Sequence, residues 1–143
     1  MVKFKLFFAP KAFIVKNGKV LVLRESATHP TNTHAGEYSL IGGRIEPNEP
    51  WEKGFAREVN EEIGATFKIL KPLWVSESFN EVQKEKWHIV RCFFLCKMED
   101  QPIKLSGEHD QFKWIDPVNY KNENLIPNEY GVFEAYLELL NKN

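Results

Sequence analysis

The chain is poor in features that would assign it to a broad class. It has two cysteines, Cys92 and Cys96. On one strand they would face the same side but stand roughly 13 Å apart, too far for a disulfide. A disulfide framework is excluded, and two thiols without further Cys or His at ligand spacing give no metal pair. Nor is there an excess of either charge: 19 basic residues stand against 20 acidic ones, for a net charge of −1. That balance gives no general case for nucleic acid or an anionic membrane as partner. No apolar run approaches the ~20 residues of a membrane span. Lys3 and Lys5 interrupt the first ten residues, which lack a long apolar stretch and a small-residue cleavage site, so no signal peptide is expected. The expected location is the cytoplasm. There is no internal repeat, linker or low-complexity tract. At 143 residues, with 43% hydrophobic and 13% aromatic residues, the expectation is one domain over 1–143 with a sizeable core.

What is present centres on residues 42–65. The segment opens as a paired-glycine loop, Gly42-Gly43, where the backbone can turn with positive φ and another group can come close. It continues as a helix. Asn48 or Glu49 is the expected N-cap, Pro50 suits the first turn, and Gly64 suits a left-handed C-cap. At about 100° per residue, Glu58 and Glu62 lie one turn apart, with Glu61 on the flank. Phe55, Val59 and Ile63 form an adjoining apolar stripe. Arg57 is placed to hold Glu49 or Glu61 in register. Acids crowded on one turn repel each other unless something positive sits among them, and a hard divalent cation with oxygen ligands meets that need.

From Gly43 the residues follow Gly-x5-Glu-x7-Arg-Glu-aliphatic-x-Glu-Glu-x-Gly at every fixed letter: Gly43, Glu49, Arg57, Glu58, Glu61, Glu62 and Gly64. Seven such letters coincide by chance on the order of 10⁻⁸ per start position. The run resembles the Nudix box of the Nudix hydrolase superfamily, of the MutT-like kind. Ile41 stands where many members have Pro, and Ala65 fills the closing aliphatic position. Both departures bear on loop shape and spare the carboxylates. The resemblance implies a metal site of Glu58, Glu61, Glu62 and the Gly42 carbonyl, with Mg²⁺ or Mn²⁺ as cofactor. It also implies an arginine, Arg57, that orients a glutamate.

The remaining pattern is mainly strand. Residues 12–24 read as a hairpin about Asn17-Gly18, with a further strand over 2–8. A long polar connection follows, in which His29 and His34 invite a metal reading, although histidines in such loops usually face solvent. Residues 37–41 deliver the chain into the glycines. Residues 66–79 read as a strand with an edge or bulge at Pro72, and 80–86 as a charged turn. Residues 87–98 are apolar on both faces and read as a central strand. A short strand at 112–115 precedes a C-terminal helix over 129–140, whose expected buried stripe is Val132, Phe133, Tyr136, Leu139 and Leu140. The fold class is α/β. A mixed sheet between the box helix and the C-terminal helix is expected, which is also the Nudix-type α/β/α sandwich.

Hydrolysis of a phosphoanhydride brings water to phosphorus against negative charge, and divalent ions neutralise that charge and activate the water. Glu58, Glu61 and Glu108 are the candidate bases. Glu108 lies in Glu108-His109-Asp110, which looks like the Glu-His motif common in the family's late loop. Arg24, Gly43, Glu49 and His88 are the candidate substrate contacts, with Arg91 as a further cation. Trp74, Phe79, Trp87 and Trp114 are candidates to stack on a base. The resemblance therefore implies a metal-dependent pyrophosphohydrolase acting on a nucleoside di- or triphosphate derivative. The proline typical of ADP-ribose hydrolases, the tyrosine of dinucleoside polyphosphate hydrolases and the upstream pattern of coenzyme A hydrolases are missing, which favours a nucleoside triphosphate. ADP-ribose, nucleotide-sugar or dinucleoside polyphosphate hydrolysis, and a non-catalytic nucleotide-binding module, are the alternatives. A small-molecule nucleotide is the expected partner, and a homodimer is left open.

Overall fold

In the computed structural model, residues 1–28 and 34–142 are described. His29 lies outside them. The sheet is built on β1 (Lys3–Lys16) and β2 (Lys19–Glu25), joined by the Asn17-Gly18 turn, in which both residues have positive φ. That turn matches the natural strand twist, and Asn-Gly tolerates it. β1 is one continuous strand where two were expected. Pro10 sits within it, opposite Cys92 of β6 (Glu85–Lys97).

β1 pairs with β6 in parallel over Lys3–Ile14, and β5 (Lys68–Val82) follows antiparallel on the outside. As an edge strand β5 tolerates Pro72, with bulges on either side of it. The turn expected over 80–86 is only Gln83-Lys84, both with positive φ, so β5 and β6 form a long hairpin. On the other flank β2 pairs with β7 (His109–Ile115).

β1 and β2 are paired at Val15↔Val20 and Lys16↔Lys19 and then diverge. The gap is filled by two short strands. β3 (Tyr38–Ser39) pairs with β2, and β4 (Ile41–Gly42) pairs with β1 at Lys11↔Gly42 and Ala12↔Ile41. The chain thus changes partner at Leu40. Its N–H leaves the sheet and donates to the buried Glu129 carboxylate at 2.9 Å. This crossing delivers the paired glycines to the split.

Two helices cover the sheet. α1 (Trp51–Ile63) buries Phe55, Val59 and Ile63 against Ala12, Ile14, Leu21, Leu23, Ile41, Phe94 and Cys96. α2 (Tyr130–Asn141) buries Val132, Phe133 and Tyr136 against Phe13, Val20, Val22, Leu40 and Phe93. Alternate residues of β1, with Ala12 and Ile14 on one face and Phe13 on the other, serve the two cores. Each of the large side chains contributes about 1.5–3 kcal/mol by leaving water. The result is the expected α/β/α sandwich. In α2 the stripe is shorter than the periodicity suggests: Leu139 is half-buried and Leu140 is exposed, because the sheet ends before the last turn. The far halves of β1, β5 and β6 extend beyond both helices, leaving Phe4, Leu6 and Phe79 exposed.

The box helix starts at Trp51 with Pro50 at the N-cap position and no side-chain cap. Neither expected cap is used. Asn48 takes φ 63° to turn the chain, and the Glu49 carboxylate is occupied elsewhere. At the other end Gly64 adopts the expected left-handed conformation, φ 63°.

Candidate active site

The site forms where β4 meets α1. Gly42 has φ 137°, and a Cβ there would lie 2.3 Å from the Pro10 carbonyl. Only glycine lets the loop lie this close to β1. Gly43 makes room for a side chain: a Cβ there would lie 2.5 Å from Glu58 Oε2 and would displace that carboxylate. The Glu58 carboxylate therefore packs on bare backbone. One turn on, Glu62 accepts the Gly42 N–H at 3.3 Å. The Gly42 carbonyl accepts a hydrogen bond from Lys11 Nζ at 3.3 Å. The Gly42 carbonyl, Glu58 and Glu62 thus gather at the paired glycines, with the Lys11 ammonium on the carbonyl and its charge acting on both acids.

Arg57 organises the outer side. Its Nε and Nη2 donate to the two oxygens of Glu49 at 2.7 and 3.0 Å. Its Nη1 reaches Glu58 and Glu61, each at 3.2 Å. Glu49 also accepts the Glu46 N–H at 3.0 Å. The hydrogen bonds from Arg57, with that from Glu46, hold the Glu49 carboxyl down at about 2. The expected pairing of Arg57 with Glu49 or Glu61 is thus met by both at once. Glu49 turns to Arg57 and not into the space beside the loop. The three box acids sit unequally: the Glu58 side chain is 19% exposed and that of Glu61 58%.

Burial pushes the Glu62 carboxyl up to about 8, against the opposing pull of Lys11 and the Gly42 N–H, with Glu58 and Glu108 adding repulsion. Burial also raises Glu58, opposed chiefly by Arg57. Among the described residues no three acid, histidine or cysteine side chains are already gathered as a metal cage. The donors nevertheless suit Mg²⁺ or Mn²⁺: they are hard oxygens, and one of them, the Gly42 carbonyl, already takes a cationic group.

Glu108 is exposed in the loop before β7, its carbonyl accepting the Ser26 N–H at 2.9 Å. Its charge is felt at Glu62, so the late loop faces the box helix. His109 beside it is half-buried, and burial lowers its pKa.

Other candidates stand apart. Arg24 Nε pairs with Asp110 Oδ1 at 2.7 Å on the β7 flank. His88 stacks on Phe79 with ring centres 4.3 Å apart and binds Glu77 at 2.7 Å. It lies opposite Leu6, five residues along β1 from the Lys11 level, or roughly 17 Å away. His88 lines a cavity of about 540 Å³ with Phe4, Leu6 and Trp87, outside the carboxylate cluster. His34 binds Glu37 and Glu25. Arg91 donates to Ser78 at 2.8 Å. Of the four aromatic candidates, Trp87 approaches the glycine loop: the Arg44 guanidinium lies 4.6 Å from the rings of both Trp87 and Phe7. Trp74 packs on Phe93, and Trp114 packs against the α1 core.

Sequence reasoning missed Lys11, Arg44 and Glu129. A lysine between Pro10 and the apolar Ala12–Phe13–Ile14–Val15 run was the available signal for the first. Nothing in the sequence marked Glu129, the first residue of the expected C-terminal helix, as buried.

A family model described as "NUDIX domain" matches residues 9–136. Nucleoside triphosphatase NudI of Escherichia coli O1:K1 / APEC is 26% identical over 89 residues, which cover 57% of this chain and 63% of that protein. The chain thus spans less than two thirds of that relative. Among solved structures, the MutT protein from Methanosarcina mazei Go1 superposes with a TM-score of 0.77 and 28% identity over the whole of both chains. A C. elegans Ap4A hydrolase has a TM-score of 0.65 at 18% identity over the whole of both chains, a likeness of fold alone.

Proposed function

The chain belongs to the NUDIX family, and on that premise we propose that it is a divalent-metal-dependent pyrophosphohydrolase of nucleoside triphosphates or related nucleotides. The observation that carries this reading is the gathering of Glu58, Glu62 and the Gly42 carbonyl at the paired-glycine loop, with a cationic group already on that carbonyl. The relative that is a nucleoside triphosphatase supports the choice of substrate class.

In this reading Glu58, Glu61, Glu62 and the Gly42 carbonyl would hold Mg²⁺ or Mn²⁺. The metal, when bound, neutralises phosphate oxygens and lowers the pKa of a water. The protein's own part is positional. Gly42 and Gly43 let the loop lie flat enough for the carboxylates to reach one space. Arg57, anchored on Glu49, fixes the tilt of Glu58 and Glu61. Glu108 approaches from the opposite loop and takes the proton from the attacking water. Arg44, between two rings at the loop, meets the substrate's phosphates, and Trp87 borders the base. One catalytic domain comprises the chain. Two unpaired thiols suit the reducing cytoplasm, and among the described residues no helix is long and apolar enough to cross a membrane. A homodimer would use the uncovered sheet face of Phe4, Leu6 and Phe79.

The test is turnover of a nucleotide panel with Mg²⁺ and identification of the products. A nucleoside triphosphate is expected to give the monophosphate and pyrophosphate. Metal binding without turnover of any nucleotide would replace this reading with a binding module. Glu108→Gln is expected to lower kcat far more than it raises KM. A change confined to KM would make Glu108 a binding residue.

A further inference from the structure

We propose that Lys11 is a resident counter-cation that competes with the divalent metal for the Gly42 carbonyl and its flanking carboxylates. The inference rests on the reading that Gly42, Glu58 and Glu62 form the metal site.

Three observations support it. Lys11 Nζ donates to the Gly42 carbonyl, the backbone oxygen of the set, at 3.3 Å. The lysine is half-buried and lies on β1 directly opposite Gly42, so its backbone is fixed relative to the loop by strand pairing. Its charge is felt by Glu58 and Glu62 together, and by Glu129 and His109 on the other sides. Arg57 binds Glu49, Glu58 and Glu61, whereas Lys11 binds the Gly42 carbonyl.

An ammonium in this position has two consequences. It opposes the burial that disfavours charge on Glu62 and Glu58 in the metal-free protein. It also repels an arriving divalent ion, and it must give up the Gly42 carbonyl before that oxygen can coordinate. Lys11 therefore weakens metal affinity, which is opposite in sign to the effect of a residue that merely supports the site. A structural residue, when removed, loosens the ligands and lowers affinity. Removing a competitor raises it.

The experiment titrates Mn²⁺, in the absence of nucleotide, into wild-type protein, Lys11→Met, Lys11→Arg and Glu62→Gln. Free Mn²⁺ is read by electron paramagnetic resonance. Lys11→Met keeps the length of the stem and removes the charge, and is expected to bind Mn²⁺ at least about tenfold tighter than wild type. Lys11→Arg keeps the charge and is expected to stay within about threefold of wild type. Glu62→Gln is expected to bind at least about tenfold more weakly. If Glu62→Gln weakens binding while Lys11→Met binds no tighter than wild type, the competition is refuted and the metal site stands. If Glu62→Gln leaves affinity unchanged, the metal-site reading fails and the inference falls with it. Should Lys11→Met not fold, Lys11→Gln, which stays polar and is shorter, carries the same comparison.

Discussion

At the residue scale, the site depends on which side chain neutralises which. Arg57 is committed to Glu49 through two hydrogen bonds and to Glu58 and Glu61 through a third nitrogen. Because the Glu49 carboxyl is held down at about 2, its pairing stabilises the fold above the ordinary carboxylate value near 4.5. That contribution is lost as pH falls toward 2. Thermal unfolding of wild type and Arg57→Met between pH 2 and 6 measures it: the wild-type Tm is expected to fall more steeply on acidification. Parallel curves would detach Glu49 from Arg57. Glu62 behaves oppositely. Its carboxyl, pushed up to about 8 by burial, holds a proton that a metal has to displace, so activity is expected to rise with pH toward that value. A rate flat from pH 6 to 9 would contradict this. Glu62→Gln is expected to keep the fold, read by circular dichroism, and to lose activity by at least about a hundredfold. The box acids were legible in sequence because helical periodicity fixes neighbours one turn apart. Lys11 was not, since it reaches Gly42 through strand pairing across 31 residues, and local spacing carries no trace of that contact.

At the element scale, the crossing of the chain from β3 to β4 matters most. Leu40 lies between strands, and its N–H goes to Glu129 at the start of α2. A Cβ on Gly42 would then lie 2.3 Å from the Pro10 carbonyl oxygen. Gly42→Ala is expected to cost about 2 kcal/mol by overpacking, or roughly 6 °C in Tm, and to displace the loop. A Tm within 1 °C of wild type would mean the loop has room to spare. The sequence marked the glycine pair, the Asn17-Gly18 turn and the stripe of α1, each of which is set by local backbone chemistry. It did not mark the fusion of two expected strands into β1, because Pro10 reads as a break. Its nitrogen needs no ladder partner where it sits, opposite Cys92. The N-cap was misread because Glu49 has a stronger partner in Arg57 than a helix N–H.

At the scale of the whole molecule, two helices clamp one end of a mixed sheet, and the site sits where that sheet splits. Leaving the long β5–β6 hairpin uncovered explains why His88, expected beside the substrate, lies in an exposed cavity with Phe79. Strand assignment placed His88 on a sheet face without saying how far along the sheet the helices reach. Divalent metal binds the folded site and not the unfolded chain in this account, so saturating Mg²⁺ is expected to raise Tm, and Glu62→Gln to abolish the rise. The most direct test is a crystal of the protein soaked with Mn²⁺ and a non-hydrolysable nucleotide, read by anomalous scattering. The account predicts manganese between Glu58, Glu62 and the Gly42 carbonyl, with the nucleotide's phosphates against it. Glu58 and Glu61 still bound to Arg57 and the Gly42 carbonyl still bound to Lys11, with no manganese among them, would contradict it.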